Sequence, residues 1–173
     1  IIAGEAQGAG VVINKSGEIV TAWHVVEDAI EKNISVQVFF KPKEIGGKLS
    51  LNDFYIAKII KYNAEADLAL LKLSAKPKNL IYSELGNKND IKIGSDVHLI
   101  GHPKSGLTWS YSFGRISQYE TNRKWNMRGS KGEHQADLIQ LVANVNPGNS
   151  GGPLISDDSK VIGKITLCTV TFI

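Results

Sequence analysis

Cysteine is almost absent from this sequence, since Cys168 is the only one among 173 residues. An intrachain disulfide is therefore excluded, and the chain differs from small secreted domains that several bridges hold together. Long apolar runs are absent too, because no stretch reaches the roughly 18 to 20 continuous apolar residues of a membrane-spanning helix. The first residues show no basic segment followed by an apolar one, so no signal peptide is expected. The compartment stays open, the cytoplasm included.

An excess of charge of one sign is also missing. The sequence has 20 lysines and arginines against 17 aspartates and glutamates, a formal net charge of +3. Nucleic-acid-binding proteins carry a concentrated basic footprint, so no nucleic-acid partner is expected. The His, Cys and Asp residues show no spacing typical of metal ligands, and we expect neither a metal nor an organic cofactor. The chain is 42% hydrophobic, which suffices for one compact domain with an apolar core.

Many short runs of β-branched and aromatic residues, separated by turn residues, predict an all-β fold. Residues 11–13 and 19–23 flank a turn that contains Gly17, and this pattern predicts a hairpin. The only indication of a helix is the short segment at residues 24–30. The polar segment at residues 117–137 predicts a long loop, and loops of that length in compact domains usually serve a function.

The strongest local signal is the segment NPGNSGGPL at residues 146–154, in which glycines surround Ser150. Hydrolysis of an amide needs a nucleophile and hydrogen-bond donors that hold the developing oxyanion. Glycine lets the backbone turn sharply and lets a substrate carbonyl approach. Gly148, Asn149 and Ser150 form the candidate oxyanion hole, with the N–H groups of Gly148 and Ser150 as its donors. The same composition also fits a plain glycine-rich turn between two strands.

A serine is a weak nucleophile without a base, and the sequence offers four histidines: His24, His98, His102 and His134. His24 ends the strand pattern VTAWHVV, where a side chain is held rigidly at the edge of a sheet. His98 lies within a strand pattern, His102 precedes a proline in a turn, and His134 lies in the predicted long loop. We therefore interpret His24 as the base and the other three as structural or solvent-exposed.

A catalytic histidine needs a carboxylate that fixes its tautomer and stabilises the imidazolium. Asp67 directly precedes the apolar strand pattern LALLKL at residues 68–73. An acid at the entry of a buried strand is unfavourable unless it is paired. Asp67 is therefore the candidate third member of a triad. A cap of the turn at the start of the strand is the alternative interpretation.

The order His24, Asp67, Ser150 resembles that of chymotrypsin-like serine proteases. The sequence is most similar to the HtrA (Deg) branch of trypsin-like peptidases, in order from residue 8 to about residue 166. The similar segments are GAGVVI, VTAWHVV, ADLALLKL, GHP, GRIS, NPGNSGGPLI and VIGKIT. The glutamyl endopeptidases are the second-closest branch, through IIKYNAEADLALLKL. They bind an acidic substrate side chain with a histidine where this sequence has Ile165, so an acidic preference is not expected.

This resemblance implies a chymotrypsin-like double six-stranded β-barrel. It divides the single peptidase domain, residues 1–173, into an N-terminal lobe at about 1–75, a connection at about 76–92 and a C-terminal lobe at about 93–173. No PDZ domain is expected in this chain. Members of the family have roughly one more strand and a terminal helix beyond the position of Ile173, so the C-terminal barrel is expected to be incomplete.

The resemblance also implies the location of the substrate pocket. Asn144, six residues before the nucleophile, is expected at the base of the primary pocket, and Thr166, Leu167 and Cys168 are expected to form its wall. Substrate backbone is expected to pair as an added strand with residues 166–168. No Asp or His stands at these positions to bind a charged side chain, and a cysteine narrows the slot relative to glycine. The expected preference is for small or medium uncharged residues before the scissile bond.

The function that these residues imply is that of a serine endopeptidase with a protein or peptide substrate. Oligomer formation stays open, and the family resemblance favours a bacterial periplasmic or secreted location. One alternative is a binding module that keeps the fold without turnover, and the complete triad argues against it. The other is an esterase with the same triad. The absence of the G-x-S-x-G elbow of α/β-hydrolases argues against the usual form of that enzyme.

Overall fold

The computed structural model describes residues 1–44, 47, 49–102, 109–127, 132–145, 148–166 and 169–173. Within these ranges the chain forms one α-helix and thirteen strands in two sheets, and the predicted all-β class is confirmed. The strands of the first sheet are β1 (Ile2–Ala3), β2 (Ala6–Gln7), β3 (Val11–Val12), β4 (Glu18–Ala22), β5 (Val36–Val38), β6 (Tyr55–Asn63) and β7 (Leu68–Leu73). Those of the second are β8 (Asp96–Gly101), β9 (Ser110–Asn126), β10 (Glu133–Ala143), β11 (Pro153–Ser156), β12 (Val161–Thr166) and β13 (Thr169–Phe172).

The first sheet has the strand order β2-β1-β5-β6-β7-β4-β3 and curls around an apolar core. Half-buried and buried residues alternate along β7, because only one face of the strand points into that core. β4 and β7 pair antiparallel, with Ala22 opposite Leu68. The end of β4 therefore lies beside the start of β7. This register brings the residues that follow Ala22 close to those that precede Leu68.

The helix α1 (Trp23–Glu31) follows β4 without a loop. Its buried residues lie on one face and pack on the core of the first sheet: Val25, Val26 and Ala29. Just beyond its end, Asn33 has a φ of 51°, a left-handed conformation that asparagine tolerates after a helix. The helix predicted at residues 24–30 is confirmed, and His24 lies in its first turn. No helix of the described residues has the length and apolar character needed to cross a bilayer.

The second sheet closes into a barrel in the order β10-β13-β12-β11-β8-β9. The expectation of an incomplete C-terminal barrel is wrong, because β13 pairs with both β10 and β12 and closes it. This strand has only four residues and follows β12 so closely that the sequence did not mark it as separate. The chymotrypsin-like double-barrel class is confirmed, as a closed six-stranded barrel beside a curled seven-stranded sheet.

The long loop predicted at residues 117–137 is wrong, because most of that segment belongs to β9 and β10. These two strands pair as one hairpin as far as Glu133, which lies opposite Asn126. The distal part of β9 is largely exposed on both faces, so its residues lack the apolar alternation that indicates a strand. The hairpin reaches the first sheet, where the N–H of Gln135 donates to the carbonyl of Glu65 at 2.8 Å.

Two charged side chains are buried where the sheet and the barrel meet. Asp67 precedes β7 and Lys164 lies on β12, and neither has any exposed surface. The remaining buried residues of both halves are mostly aliphatic, such as Leu71 in the first core and Ile162 in the second. Burial of a charge is unfavourable unless the charge is paired. This buried pair therefore marks the contact between the sheet and the barrel as the candidate functional site.

Candidate active site

His24 and Asp67 meet where the end of β4 lies beside the start of β7. The N–H of His24 donates to Asp67 Oδ1 at 2.9 Å, and the ring atom Nδ1 lies 3.0 Å from each carboxylate oxygen. An ionised carboxylate accepts hydrogen bonds and cannot donate them, so Nδ1 carries the proton. In the neutral ring, Nε2 is then the basic atom. The His24 side chain keeps 21% of its surface exposed, and the Asp67 side chain keeps none.

Asp67 is held by its backbone as well as by its side chain. Its N–H donates to the carbonyl of Ala64 at 3.1 Å, and its carbonyl accepts from the N–H of Trp23 at 3.0 Å. Its φ of 52° lies in the left-handed region, which aspartate visits more readily than most residues. Such residues are concentrated at functional sites. The backbone thus aims the carboxylate at the first turn of α1.

The Asp67 carboxylate is ionised although it is buried. Burial alone would raise its pKa. The hydrogen bond from the His24 ring, the charge of Lys164, and the charge and N–H of His24 together hold the pKa of Asp67 well below its usual range. The site therefore contains a fixed negative charge beside the imidazole, which is the arrangement that stabilises an imidazolium.

Lys164 is a further charged group at this place, and sequence reasoning did not single it out. Its Nζ lies 2.9 Å from Asp67 Oδ2 and 2.6 Å from the Asp67 carbonyl oxygen. A third, short hydrogen bond joins Nζ to Thr166 Oγ1. The signal available in the sequence was a lysine inside the otherwise apolar run VIGKIT, because a buried charge requires a partner.

Ser150 lies in a tight turn between β10 and β11. Gly148 and Gly151 have φ values of 99° and 85°, in the left-handed region that glycine adopts without strain. The N–H of Gly151 donates to the carbonyl of Ile165 on β12 at 2.8 Å. The glycines around the serine therefore form the turn and let it lie against the neighbouring strand.

The Ser150 turn packs against the part of the first sheet that leads to His24. The N–H of Ala9 donates to the Ser150 carbonyl at 2.8 Å. A Cβ at Gly8 would lie 2.8 Å from that carbonyl oxygen and 2.6 Å from Val25 Cγ2, so the serine backbone and the residue after His24 are near neighbours. Within the described residues, the hydrogen bonds of His24 go to Asp67, and Ser150 Oγ is not among its partners.

Comparison with known proteins identifies the family. Residues 8–163 match the family model described as "Trypsin-like peptidase domain". The chain belongs to this family. It is 35% identical over 166 residues to "Probable periplasmic serine endoprotease DegP-like" of Chlamydia muridarum (strain MoPn / Nigg), an alignment that covers 92% of this chain and 28% of the relative. The chain thus spans less than a third of the length of that relative.

Two solved structures resemble this trypsin-like peptidase domain closely. The crystal structure of Deg5 matches with a TM-score of 0.75 at 26% identity, over 96% of this chain and 78% of the other. The HtrA-type protease AlgW, solved with a decapeptide, matches with a TM-score of 0.71 at 26% identity, over 96% and 48% of the two chains. The resemblance to the HtrA (Deg) branch is confirmed by these matches.

The residues predicted to form the substrate pocket of this peptidase domain are described in part. Asn144 is exposed and directly follows β10. Thr166 is buried, and its Oγ1 lies 3.0 Å from Thr171 Oγ1 and also accepts a hydrogen bond from Lys164 Nζ, so its side chain lies on the same face of β12 as that of Lys164. Leu167 and Cys168 lie outside the described residues. The pocket stays a prediction.

The three residues predicted for the oxyanion hole are all buried: Gly148, Asn149 and Ser150. No carbonyl of the described residues accepts a hydrogen bond from the N–H of Gly148 or of Ser150. The Asn149 side chain packs against Gly101, where an added Cβ would lie 2.0 Å from Asn149 Oδ1. That oxygen has no hydrogen-bond donor among the described residues.

Each of the other histidines of this peptidase domain has a contact with a residue other than Asp67. His98 contacts Asp157 on the barrel surface, through Nε2 at 3.0 Å. His134 is buried in the hairpin, and its Nδ1 lies 2.9 Å from the Ala64 carbonyl. His102 is half-buried and lies edge-on to the ring of Trp109. Across the described residues, no group of His, Cys, Asp and Glu is arranged to hold a metal ion.

Proposed function

We propose that this chain is a serine endopeptidase domain in which Ser150, His24 and Asp67 form the catalytic triad. The observation that carries the proposal is the pair of 3.0 Å contacts from His24 Nδ1 to both oxygens of the buried Asp67 carboxylate. These contacts fix the tautomer in which Nε2 is the base. Membership of the trypsin-like peptidase family supports the same reaction class.

In the proposed reaction, Ser150 Oγ attacks the carbonyl carbon of the scissile peptide bond while its proton moves to His24 Nε2. The carbonyl electrons move onto oxygen, and a tetrahedral intermediate forms beside the imidazolium. The carbon–nitrogen bond then breaks, and the leaving amine takes the proton from His24. Water repeats the sequence on the acyl-serine and releases the acid. Asp67 stays ionised throughout and orients the ring.

The oxyanion of this intermediate needs fixed donors. The N–H groups of Gly148 and Ser150 are proposed to supply them, with Asn149 as the intervening residue of the hole. Their lack of carbonyl acceptors among the described residues supports this role. In serine proteases the loss of one such donor lowers kcat by about 10² to 10³.

The proposed substrate is an extended segment of a protein or peptide. AlgW, which shares the fold, was solved with a decapeptide. The substrate backbone pairs with residues 166–168, and Asn144 lies at the base of the pocket. With neither an Asp nor a His at these positions, residues such as Val, Ala, Leu or Thr are preferred before the scissile bond. One extra methylene changes binding by only about 1 to 3 kcal/mol, so the preference is moderate.

A bacterial periplasmic or secreted location is part of the same proposal. The Chlamydia muridarum relative carries the word periplasmic in its name. Fusion of the protein, expressed from its natural gene, to a reporter that becomes active only outside the cytoplasm tests the location, and an active reporter is the expected result.

A fluorophosphonate probe tests the nucleophile, because an activated serine oxygen displaces the leaving group at phosphorus. We expect the parent domain to be labelled and Ser150→Ala not to be labelled. Ser156→Ala is the matched control, since Ser156 is also nearly buried and lies at the end of β11. It is expected to be labelled like the parent. Labelling of Ser150→Ala at the parent rate contradicts the proposal.

Casein and a small ester separate the proposed activity from its two alternatives. Labelling together with casein cleavage supports the endopeptidase. Labelling with ester hydrolysis but without cleavage of any protein or peptide identifies an esterase. A folded parent that is neither labelled nor active identifies a binding module.

A further inference from the structure

Lys164 carries a fully buried ammonium group in the core of the peptidase domain. Every residue of β12 is buried, and Lys164 has no exposed side-chain surface. The three protons of the ammonium have three acceptors, which are the Asp67 carbonyl at 2.6 Å, Asp67 Oδ2 at 2.9 Å and Thr166 Oγ1. The group is thus completely hydrogen-bonded, and two of its three bonds end on Asp67.

Packing alone gives no reason for a lysine at this position. An apolar side chain of similar length would fill the same space without the desolvation of an ion. Replacement of a buried ion pair by apolar residues is often neutral or stabilising. The partner of Lys164 is the carboxylate that holds His24, which points to a role in the reaction.

We infer that Lys164 is a positioning residue of the triad, which holds Asp67 in place and offsets its negative charge, so that His24 becomes a free base at lower pH. The inference rests on the proposed triad. A carboxylate beside an imidazole favours the protonated ring, because opposite charges attract. A cation bound to the same carboxylate weakens that attraction. The acid limb of the pH–rate profile therefore lies at lower pH than it would without Lys164.

The charges that act most strongly on Asp67 come from two side chains. After burial, the largest effects on the pKa of its carboxyl group are those of His24 and Lys164. β13 adds the uncharged hydroxyl of Thr171, which contacts Thr166. The other titratable groups on the surrounding elements are Glu18 at the far end of β4, Glu27, Asp28 and Glu31 on α1, Tyr55, Lys58, Lys61 and Tyr62 on β6, Glu65 in the turn before β7, Lys72 on β7, and Glu133, His134 and Asp137 on β10.

Lys164 stays protonated where the acid limb is measured. Burial lowers the pKa of Lys164 to about 8, although the charge and hydrogen bond of Asp67 raise it. Below that pH the ammonium group is present and opposes the charge of the carboxylate. The positive charge of Lys164 therefore weakens the effect of the Asp67 carboxylate over the whole pH range in which histidine side chains usually titrate.

The test is the pH dependence of kcat/KM in the parent and three variants. Lys164→Met keeps the length of the side chain and removes its charge and donors, and Lys164→Gln keeps a donor without charge. Lys72→Met is the matched control, because Lys72 is partly exposed and pairs with Glu18 at 3.4 Å, away from the triad. We expect the acid limb to move upward by about one pH unit in both Lys164 variants and to stay in place in the control. A smaller loss of kcat in Lys164→Gln than in Lys164→Met is expected from the retained donor.

An acid limb that does not move in either Lys164 variant overturns the inference, even if kcat falls, because a merely structural lysine would give that result. Each enzyme is first titrated with the fluorophosphonate probe, and rates are expressed per labelled serine. A parent without labelling refutes the proposed function instead. The two failures are thereby distinguished.

A second measurement needs neither turnover nor a folded Lys164 variant. In Ser150→Ala with ¹⁵N-labelled lysine, the nitrogen resonance of Lys164 reports whether Nζ is an ammonium or an amine. We expect the ammonium form across the pH range in which the His24 ring resonances shift. A neutral amine in that range overturns the inference.

Discussion

The N–H of Ala9 donates a hydrogen bond of 2.8 Å to the carbonyl oxygen of Ser150, from the first sheet to the barrel. The carbonyl of Ala9 accepts a second bond of 2.7 Å from Thr21 Oγ1, near the end of β4. Ala9 thus connects the turn that carries the serine with the strand that leads to His24. Gly151 lies directly beneath this connection, since a Cβ there would be 2.3 Å from the Ala9 carbonyl oxygen.

Gly151→Ala is expected to move Ser150 away from His24, the proposed base. The methyl group would clash with the Ala9 carbonyl and with Thr21 Oγ1 at 2.4 Å, so the Ser150 turn must shift. Fluorophosphonate labelling should slow by a factor of about 10² or more, because small displacements of reacting groups have large effects on rate. Gly94→Ala is the control. Gly94 also has a left-handed φ, of 87°, but has no atom within 4 Å of the added Cβ. Equal labelling rates in the two variants would contradict this prediction.

Asp67→Asn is expected to destabilise the protein as well as to inactivate it. The change leaves the Lys164 ammonium buried without a counter-charge, which typically lowers the free energy of unfolding by about 3 to 5 kcal/mol. The double variant Asp67→Asn/Lys164→Met should recover much of that loss, because the unpaired charge is gone. Urea unfolding at pH 7 measures both. The control is Asp96→Asn, which breaks an exposed pair with Arg115 and should change stability by less than about 1 kcal/mol. Strictly additive effects at positions 67 and 164 would refute the coupling.

Lys164 also predicts how stability changes at alkaline pH. Burial lowers its pKa to about 8 in the folded chain, whereas a lysine in an unfolded chain titrates near about 10.4. Between these values the unfolded state binds a proton that the folded state has released, so this contribution to stability rises with pH. From pH 8 to pH 10, the free energy of unfolding of the parent should therefore increase relative to that of Lys164→Met, by up to about 1.4 kcal/mol per pH unit. Urea unfolding at several pH values checks this, and a difference independent of pH would speak against a lowered pKa of Lys164.

His134→Phe is expected to loosen the turn that carries Asp67. The His134 ring stacks on Trp125, and its Nδ1 lies 2.9 Å from the carbonyl of Ala64, which also accepts the N–H of Asp67. Phenylalanine keeps the stacking and removes the hydrogen bond. We expect kcat to fall about tenfold with KM little changed, because the base is oriented less well while the pocket is untouched. Gln135→Ala is the control, since the bond from residue 135 to Glu65 uses the backbone. Unchanged kcat in His134→Phe would show that the hairpin does not support the turn.

Much of the fold followed from local patterns. The run LALLKL predicted β7, and the turn at Gly17 predicted the hairpin of β3 and β4, because apolar alternation and turn residues are local signals. The outer part of the β9–β10 hairpin could not be found in this way. Its strands are paired through the backbone, but the outer part of β9 is largely exposed on both faces, so neither face of that strand selects apolar residues.

Those residues of the candidate site that have a local sequence signal could be predicted, and the contacts between them could not. Ser150 is marked by glycines and Asp67 by the strand behind it. Lys164 is marked only as a lysine within the apolar run VIGKIT, and that signal does not name its partner, a carboxylate 97 positions earlier in the chain. Only the packing of the barrel against the sheet brings the two together. Leu167 and Cys168 lie outside the described residues, so their place in the pocket stays a prediction.

Because Asp67 and Lys164 pair across the two halves, neither the sheet nor the barrel can be exchanged for that of another protein without a change in this pair. Asp67 enters from the sheet and Lys164 from the barrel, so each half holds one charge that only the other half neutralises. A chimera that joined this sheet to a barrel with an aliphatic residue at position 164 is expected to change the basicity of His24, the proposed base. A chimera that joined this barrel to a sheet with an uncharged residue at position 67 would bury the Lys164 ammonium group without a counter-charge. We therefore expect a replacement at position 67 or 164 to be tolerated better when the other position is replaced with it.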